Sequence, residues 1–405
     1  MVTAPSCTTD GYTTYTCDLC GHSYKGNYVT AAGHSWKDAT CTTPKTCGTC
    51  GTTSGSALGH KYVSGKCSLC GAADPNGVAD PGLTLRYPTL SFEDEIIYNV
   101  YFTVADASSI VEMGLMILPK MDQNATIDDA VSTVPGFVSN GSMYLAKSEG
   151  IPAANMGDTL YFKVYAKLTD GTYTYSGAGG YNAKAYANSI LTSASSSSQM
   201  KSLAVAMLEY GAEAQKFFGH NTDKLVNSAL TAAQKALIRS YETNMMAPIV
   251  KADSSKTGAF IRNNANFKQL YPSVSFDGAF AINFYCTPAI TVDSDMTLYW
   301  WDAEDYASID LFTLNNATGK MTMTATDGRY WGEVAGIAAK DMDKTYYVSC
   351  VFKHDGQYVT TGIIPYSLGK YCSDKAAANG DAQQPFAQAT AVYGSYAKEY
   401  FASIA

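Results

Sequence analysis

Two stretches of this chain carry the same alternation of apolar and polar positions. Residues 150–175 read GIPAANMGDTLYFKVYAKLTDGTYTY, and residues 336–361 read GIAAKDMDKTYYVSCVFKHDGQYVTT. Each opens on Gly-Ile, places a Met six positions after the Gly (Met156, Met342), and alternates apolar residues on both sides of Asp-Gly (Asp170-Gly171, Asp355-Gly356). Period-two alternation around Asp-Gly is the pattern of a β-hairpin. Two such hairpins with matching flanks predict a duplicated domain.

The segments before each hairpin repeat the same order. RYPTLSFEDEIIYNVYFTVAD predicts two strands broken at Glu93-Asp94, with further strands at 111–118, 143–147, 160–168 and 173–175. LYPSVSFDGAFAINFYCT opens the second copy, with strands to follow at 296–301, 330–334, 346–353 and 358–361. After each hairpin the period changes to that of a helix. Leu203, Met207, Tyr210, Ala214 and Phe217 share one face of 199–218, answered by Phe386, Tyr393, Ala397 and Phe401. Both helices hold a Tyr-Gly pair (Tyr210-Gly211, Tyr393-Gly394). A mid-helix Gly costs about 1 kcal/mol against Ala, so its presence in both predicts a close crossing, against the sheet. A capping box at Thr231 and Gln234 predicts one more helix in the first copy.

The expected fold is mainly β with α additions. A Cys-rich head at 1–77 precedes two duplicated immunoglobulin-like β-sandwich domains with C-terminal helices, at 83–246 and 266–405. Segments 71–82 and 247–265 read as linkers.

The head follows a different pattern. It holds eight of the 11 cysteines and three of the five histidines. Three Cys-x-x-Cys-Gly knuckles recur, at Cys17/Cys20, Cys47/Cys50 and Cys67/Cys70, with Cys7 and Cys41 standing ahead of the first two. Gly-His pairs (Gly33-His34, Gly59-His60) separate the units. A Cys-x-x-Cys loop holds two thiolates on one metal, and the Gly permits the tight turn behind them. A disulfide framework has no use for His, so the regular His placement favours structural zinc. One grouping is Cys7, Cys17, Cys20, His34 with Cys41, Cys47, Cys50, His60, leaving Cys67 and Cys70 over. A register shifted to pair His34 with Cys41 and His60 with Cys67 is equally regular.

GHSWKDATCTTPKTCGTCG, residues 33–51, resembles repeats on large secreted or surface proteins of anaerobic Gram-positive gut bacteria. The resemblance implies an extracellular or cell-surface setting and a spacer or anchor role for the head. The start of the sequence has no signal-peptide pattern, and a bare Met ahead of mid-domain sequence suggests a segment of a longer protein.

Composition narrows the partners. A net charge of −8 and pI near 5.1 argue against nucleic acid, and no apolar run approaches a membrane span. No phosphate loop, nucleophile elbow or His-Glu metal motif is present, so the expectation is a non-enzyme. Tyr is abundant, 30 against 15 Phe, which suits half-buried strands and also recognition surfaces. The most site-like run is Tyr299, Trp300, Trp301 and Asp302, where rings and an acid could stack a sugar and bind its hydroxyls. Asn99 and Asn283 lie mid-strand among aromatics, as satisfied amides or as ligand contacts. Glu93 and Asp277 match between copies beside strand breaks and read as solvated loop residues. Cys286 and Cys350 are expected to be buried on facing or adjacent strands near Trp300, answering Phe102 and Val164 of the first copy. The resemblance of 33–51 to gut bacterial surface proteins implies a host macromolecule as partner, an immunoglobulin or a mucin glycoprotein, so the expected function is its non-catalytic capture. The alternatives are a polysaccharide-binding module and a structural spacer.

Overall fold

The computed structural model describes residues 1–63, 66–73, 80–91, 96–140, 143–252, 266–276, 279–307 and 316–405. Glu93, Asp277, half of the 71–82 linker and most of the 247–265 linker lie outside the described residues. Two compact units divide the chain. One comprises Met1–Leu83, Val104–Met113 and Tyr165–Tyr175, the other Thr84–Thr103, Gly114–Val164 and Ser176–Ala405.

In the first unit the head forms three small antiparallel sheets. They are β1 (Val2–Thr3), β2 (Gly11–Thr16) and β3 (Ser23–Val29); β4 (Trp36–Lys37), β5 (Lys45–Cys47) and β6 (Thr53–Ser54); and β7 (Tyr62–Val63) with β8 (Lys66–Cys67). A knuckle follows the last strand residue of β2, or begins at the last residue of β5 and β8. Strands this short bury little, and among the described head residues the buried apolar side chains are Cys7, Cys41, Cys47 and Cys67.

The remaining chain is mainly β with helices at the end of each copy. The first copy runs β9 (Thr84–Ser91), β10 (Ile97–Thr103), β11 (Ile110–Leu118), β12 (Ser132–Pro135), β13 (Phe137–Asn140), β14 (Met143–Lys147), β15 (Leu160–Leu168), β16 (Tyr173–Tyr175) and β17 (Gly179–Tyr181). Helices α1 (Ala183–Thr192), α2 (Ser198–Phe218) and α3 (Ala232–Lys235) follow. The second runs β18 (Phe267–Ser275), β19 (Phe280–Pro288), β20 (Thr297–Trp301), α4 (Ala303–Ala307), β21 (Gly319–Thr322), β22 (Thr324–Thr326), β23 (Arg329–Ile337), β24 (Tyr346–His354), β25 (Gln357–Thr360) and β26 (Ile364–Tyr366). It ends on α5 (Leu368–Ala377) and α6 (Gln384–Ile404). Sheet order is β13-β14-β10-β9 and β12-β11-β15-β16 in the first copy, with β17 beside β15. The second repeats it as β18-β19-β23-β22 and β21-β20-β24-β25, with β26 beside β24.

Alternation decides which side chains enter the core. On β10, Tyr98, Val100 and Phe102 are buried, whereas Asn99, Tyr101 and Thr103 are half-exposed. On β19 the inward residues are Ile282, Phe284 and Cys286. Cys350, on β24 of the other sheet, is also buried, and burial beside the Cys286 thiol pushes its own thiol well up, the Cys286 contact acting most strongly. The two cysteines thus face each other between sheets, as the sequence predicts.

Both hairpins form, with different turns. In the second copy His354 pairs with Gln357, and Asp355 (φ 49°) and Gly356 (φ 74°) fill a two-residue turn of the type that needs positive φ twice. The first copy has one more residue: Lys167 pairs with Tyr173, and Gly171 alone takes the left-handed conformation (φ 83°).

The helix glycines have a different cause from the one expected. A Cβ on Gly211 would lie 2.8 Å from Met156 Sδ, and one on Gly394 would lie 2.5 Å from Met342 Sδ. The helix therefore crosses the 3-10 turn at Ala153–Asn155 or Ala339–Asp341, not the sheet. This joins the two repeated signals, the Met after Gly-Ile and the Gly after Tyr, into one contact. The paired tyrosines then stack on each other, Tyr210 on Tyr393 at 5.2 Å with rings 6° apart, and Phe217 stacks on Phe386 at 5.2 Å. Each such pair adds about 0.5–1.5 kcal/mol beyond its buried area. The helical layer is thus shared by the two copies.

Helices α1 and α5 were not evident in the hydrophobic pattern. Their caps start them: Asn182 Oδ1 accepts from Ala185 N–H at 2.7 Å, and Ser367 Oγ from Lys370 N–H at 3.0 Å. The capping box at Thr231 forms, yet α3 is only four residues long. Tertiary partners take over the next backbone groups: Ser202 Oγ donates to the Leu237 carbonyl, and Arg239 N–H donates to Tyr396 Oη.

Candidate metal centres and an aromatic face

The head cysteines and histidines converge in two clusters. One holds Cys7, His34, Cys47 and Cys50, the other Cys41, His60, Cys67 and Cys70, each with ligand atoms within 4.8 Å of one another. Cys7 Sγ lies 3.8 Å from Cys47 Sγ, and Cys41 Sγ lies 3.6 Å from Cys67 Sγ. Two sulfurs at about 2.3 Å from one tetrahedral zinc lie about 3.8 Å apart, so these edges fit such an ion. His34 Nδ1 is 3.4 Å from Cys50 Sγ, and His60 Nδ1 is 3.4 Å from Cys70 Sγ.

The same local devices build both clusters. A short turn presents the single Cys: Ser6 Oγ accepts from Thr9 N–H, and Thr40 Oγ1 from Thr43 N–H, each at 3.0 Å. The stretch before each His docks on that turn, Ala32 N–H donating to Ser6 O and Leu58 N–H to Thr40 O. Gly33 (φ 75°) and Gly59 (φ 73°) bend the backbone into the His. The aromatic residue two positions later packs on the imidazole, Trp36 on His34 at 4.8 Å and Tyr62 on His60 at 5.3 Å. The knuckle closes through Gly51 N–H to Cys47 O and Gly71 N–H to Cys67 O.

Charge makes the cysteines within each cluster unequal. Burial, with the thiols of Cys50 and Cys47, pushes Cys7 up to about 11; burial with Cys70 and Cys67 pushes Cys41 up to about 12. The backbone of Cys50 brings Cys47 down to about 5. At Cys67 burial opposes ionisation, but the backbone of Leu69 and Cys70 and the His60 side chain bring it to about 5. Each site thus sets a ready thiolate, Cys47 or Cys67, beside a thiol whose ionisation it opposes, Cys7 or Cys41. A cation among them removes that conflict.

Neither expected register is the observed one as a whole: of the shifted register, His60 and Cys67 share a cluster but His34 and Cys41 do not. Cys7 and His34 close on Cys47/Cys50, passing over the first knuckle and His22, and Cys41 and His60 close on Cys67/Cys70. Among the described residues Cys17 and Cys20 belong to no cluster of three or more ligating side chains. A third group, Asp293, His354 and Asp355, stands on the hairpin end of the second copy, with His354 Nδ1 2.9 Å from Thr291 O.

The Tyr299–Asp302 run takes structural roles. Trp301 is fully buried and offers no ring face to solvent, packing with Tyr306 and Tyr347, against which half-buried Tyr299 lies. Trp300 covers Gly319, where a Cβ would strike the indole. Asp302 caps α4, accepting from Asp305 N–H at 2.9 Å and Glu304 N–H at 3.1 Å, and pairs with Lys344 at 3.4 Å. The Asp305 amide and Lys344 hold its carboxyl below the usual range.

A different aromatic face lies on the outer side of the second copy. Tyr271, Tyr285, Trp331 and Thr324 are successive cross-strand partners over β18, β19, β23 and β22, so they form one row. Tyr271 and Tyr285 stack at 5.2 Å. Trp331 Nε1 donates to Asn283 Oδ1 at 3.3 Å, in a neighbouring row of Ser273, Asn283 and Glu333. Tyr285, Trp331, Thr324, Thr326, Asp327 and Arg329 line a groove of about 380 Å³. In the first copy Leu145 stands across from Tyr101, where the second has Trp331 across from Tyr285. Sequence reading missed this face because only pairing register puts the four residues in line.

No family model matches the sequence, and no curated protein matches it. A solved structure titled "Crystal structure of Br derivative BhCBM56" is similar over 25% of this chain and 98% of its own, at 13% identity and a TM-score of 0.18. A likeness that small carries no argument about this chain.

Proposed function

We propose that this chain is a non-catalytic extracellular binding protein whose N-terminal repeats are held by zinc and whose second sandwich recognises a glycan. The row Tyr271–Tyr285–Trp331 carries the reading. Flat rings in line offer apolar area at little entropic cost; buried Asn283 holds the Trp331 indole, and Glu333, Arg329 and Asp327 set carboxylate and guanidinium groups around the row. That combination suits a sugar, with an apolar ring face and a rim of hydroxyls. It supports a polysaccharide or the glycan of a mucin glycoprotein over an immunoglobulin polypeptide. Sheet orders β9-β10-β14-β13 and β12-β11-β15-β16, repeated in the second copy, support an immunoglobulin-like sandwich with one added edge strand in each. The Cys and His donor sets support zinc. The resemblance of 33–51 to bacterial surface repeats supports the extracellular setting.

Glycan-array and affinity-electrophoresis measurements on the full chain test this. Binding to a glycan should fall about 10-fold or more on Trp331→Ala, with little change in melting temperature. Equal binding by the parent and the variant, or capture of mucosal glycoprotein that survives its deglycosylation, contradicts the reading.

A further inference from the structure

Three knuckles are present in the head, but two clusters use only Cys47/Cys50 and Cys67/Cys70. The third, Cys17/Cys20, is built the same way. Gly21 N–H donates to Cys17 O at 2.8 Å and Cys17 N–H to His22 O at 2.9 Å. The corresponding bonds are Gly51 to Cys47 O (2.9 Å) and Cys47 to Thr52 O (2.8 Å), then Gly71 to Cys67 O (2.8 Å) and Cys67 to Ala72 O (2.7 Å). The closing glycines share one conformation, φ 69°, 75° and 74°. Cys17 and Cys20 are both exposed.

The interlock of the complete clusters shows what this knuckle lacks. Each has the order Cys, His, Cys-x-x-Cys, and the two overlap: Cys41 of the second lies between His34 and Cys47 of the first. The first cluster's knuckle, Cys47/Cys50, lies between Cys41 and His60 of the second. Cys17/Cys20 lies between Cys7 and His34, the corresponding place in the first cluster. By that order it stands where the closing knuckle of a preceding site would stand.

Two counts place the missing His. In both complete sites the His stands two residues before a short strand that pairs with the strand entering the knuckle: His34 before β4, His60 before β7. Strand β1 pairs with β2 in the same way, and two residues before Val2 is the position directly preceding Met1. Independently, His34 stands seven residues before the single Cys41. Seven residues before Cys7 is the same position.

We infer that Cys17 and Cys20 are half of a third zinc-type site, completed by a Cys and a His from a further repeat of the same design docked on the N-terminal side. Such a site joins successive repeats through metal, each ion stapling one repeat to the next. The inference rests on the zinc reading of the two complete clusters.

Cobalt titration followed by thiolate-to-metal absorption tests it, using the full chain and a form extended at its N-terminus. The extension is a copy of residues 40–60 with its two knuckle cysteines changed to Ser, so that its His falls directly before Met1. The parent should take two tight equivalents and the extended chain three, the third lost on Cys17→Ser/Cys20→Ser. Two equivalents in the extended chain, or a third that persists in the double variant, overturns the inference while leaving the two-site reading intact. No tight equivalent in the parent overturns the zinc reading and this one with it. A parent that dimerises on taking half an equivalent more shows two knuckles closing on one ion, which also overturns it.

Discussion

The head and the mainly β remainder of the chain hold themselves together by different physics. Among described head residues the buried apolar side chains are four cysteines, all of them in the two ligand clusters. The sheets and helices that follow bury Phe102, Phe162, Phe284, Trp301, Tyr210 and Tyr393 with many aliphatic neighbours. A segment whose strands are mostly of two or three residues, and whose buried apolar side chains are its ligand cysteines, cannot offset the entropy of ordering its backbone, about 1–2 kcal/mol per residue. The remainder can. One chain thus shows two routes to order: coordinate bonds at a few points, or area buried throughout.

The largest expected effect breaks the head alone. Cys47→Ser or Cys67→Ser removes a thiolate that its surroundings ionise readily, and should abolish protection of the head from proteolysis while the remainder keeps its melting temperature. Simultaneous melting of both regions would show that the two are not held separately. Acid sharpens the same contrast. The unfolded head binds protons on its Cys and His side chains that the metal-bound head does not, so head stability rises with pH. It should weaken as pH falls from about 8.5 and more steeply near 6.5, the ordinary Cys and His ranges, which circular dichroism of an isolated 1–73 fragment against pH would follow. A flat profile contradicts it.

Smaller effects belong to the remainder. Met342→Ala should cost about 2–5 kcal/mol by opening a cavity under α6, read from denaturant unfolding. Gly394→Ala drives a Cβ toward Met342 Sδ and should cost about 1–3 kcal/mol; if it stabilised the protein instead, the crossing would be looser than described. Thr231→Ala removes the box at α3 and should cost about 1 kcal/mol.

Much of the strand and helix order was legible because its signals are local. Asp-Gly between alternating residues names a hairpin, and the face of α2 announces itself from Leu203 to Phe217. The repeated Met156/Met342 and Gly211/Gly394 were visible too, but that each Met sits under its Gly is a tertiary fact. Strands β12, β13, β21 and β22 escaped because short, polar edge strands carry no alternation to read. Helices α1 and α5 escaped because Ala, Ser and Tyr blur the helical period. In the head every ligand was nameable, yet their grouping was not. Interlocked sites put the knuckle of one between the Cys and His of another, and regular spacing then supports several registers equally. Trp301 and Trp331 show the same limit: one is core and the other lies on an open face, and only strand pairing separates them.

The most direct test of the central claim is metal content with thiol state on the full chain purified without added metal. Native mass spectrometry and elemental analysis should find two zinc ions per chain, with X-ray absorption showing three sulfurs at about 2.3 Å and one nitrogen at about 2.0–2.1 Å around each. A chain without metal whose head cysteines are joined as disulfides would contradict the account.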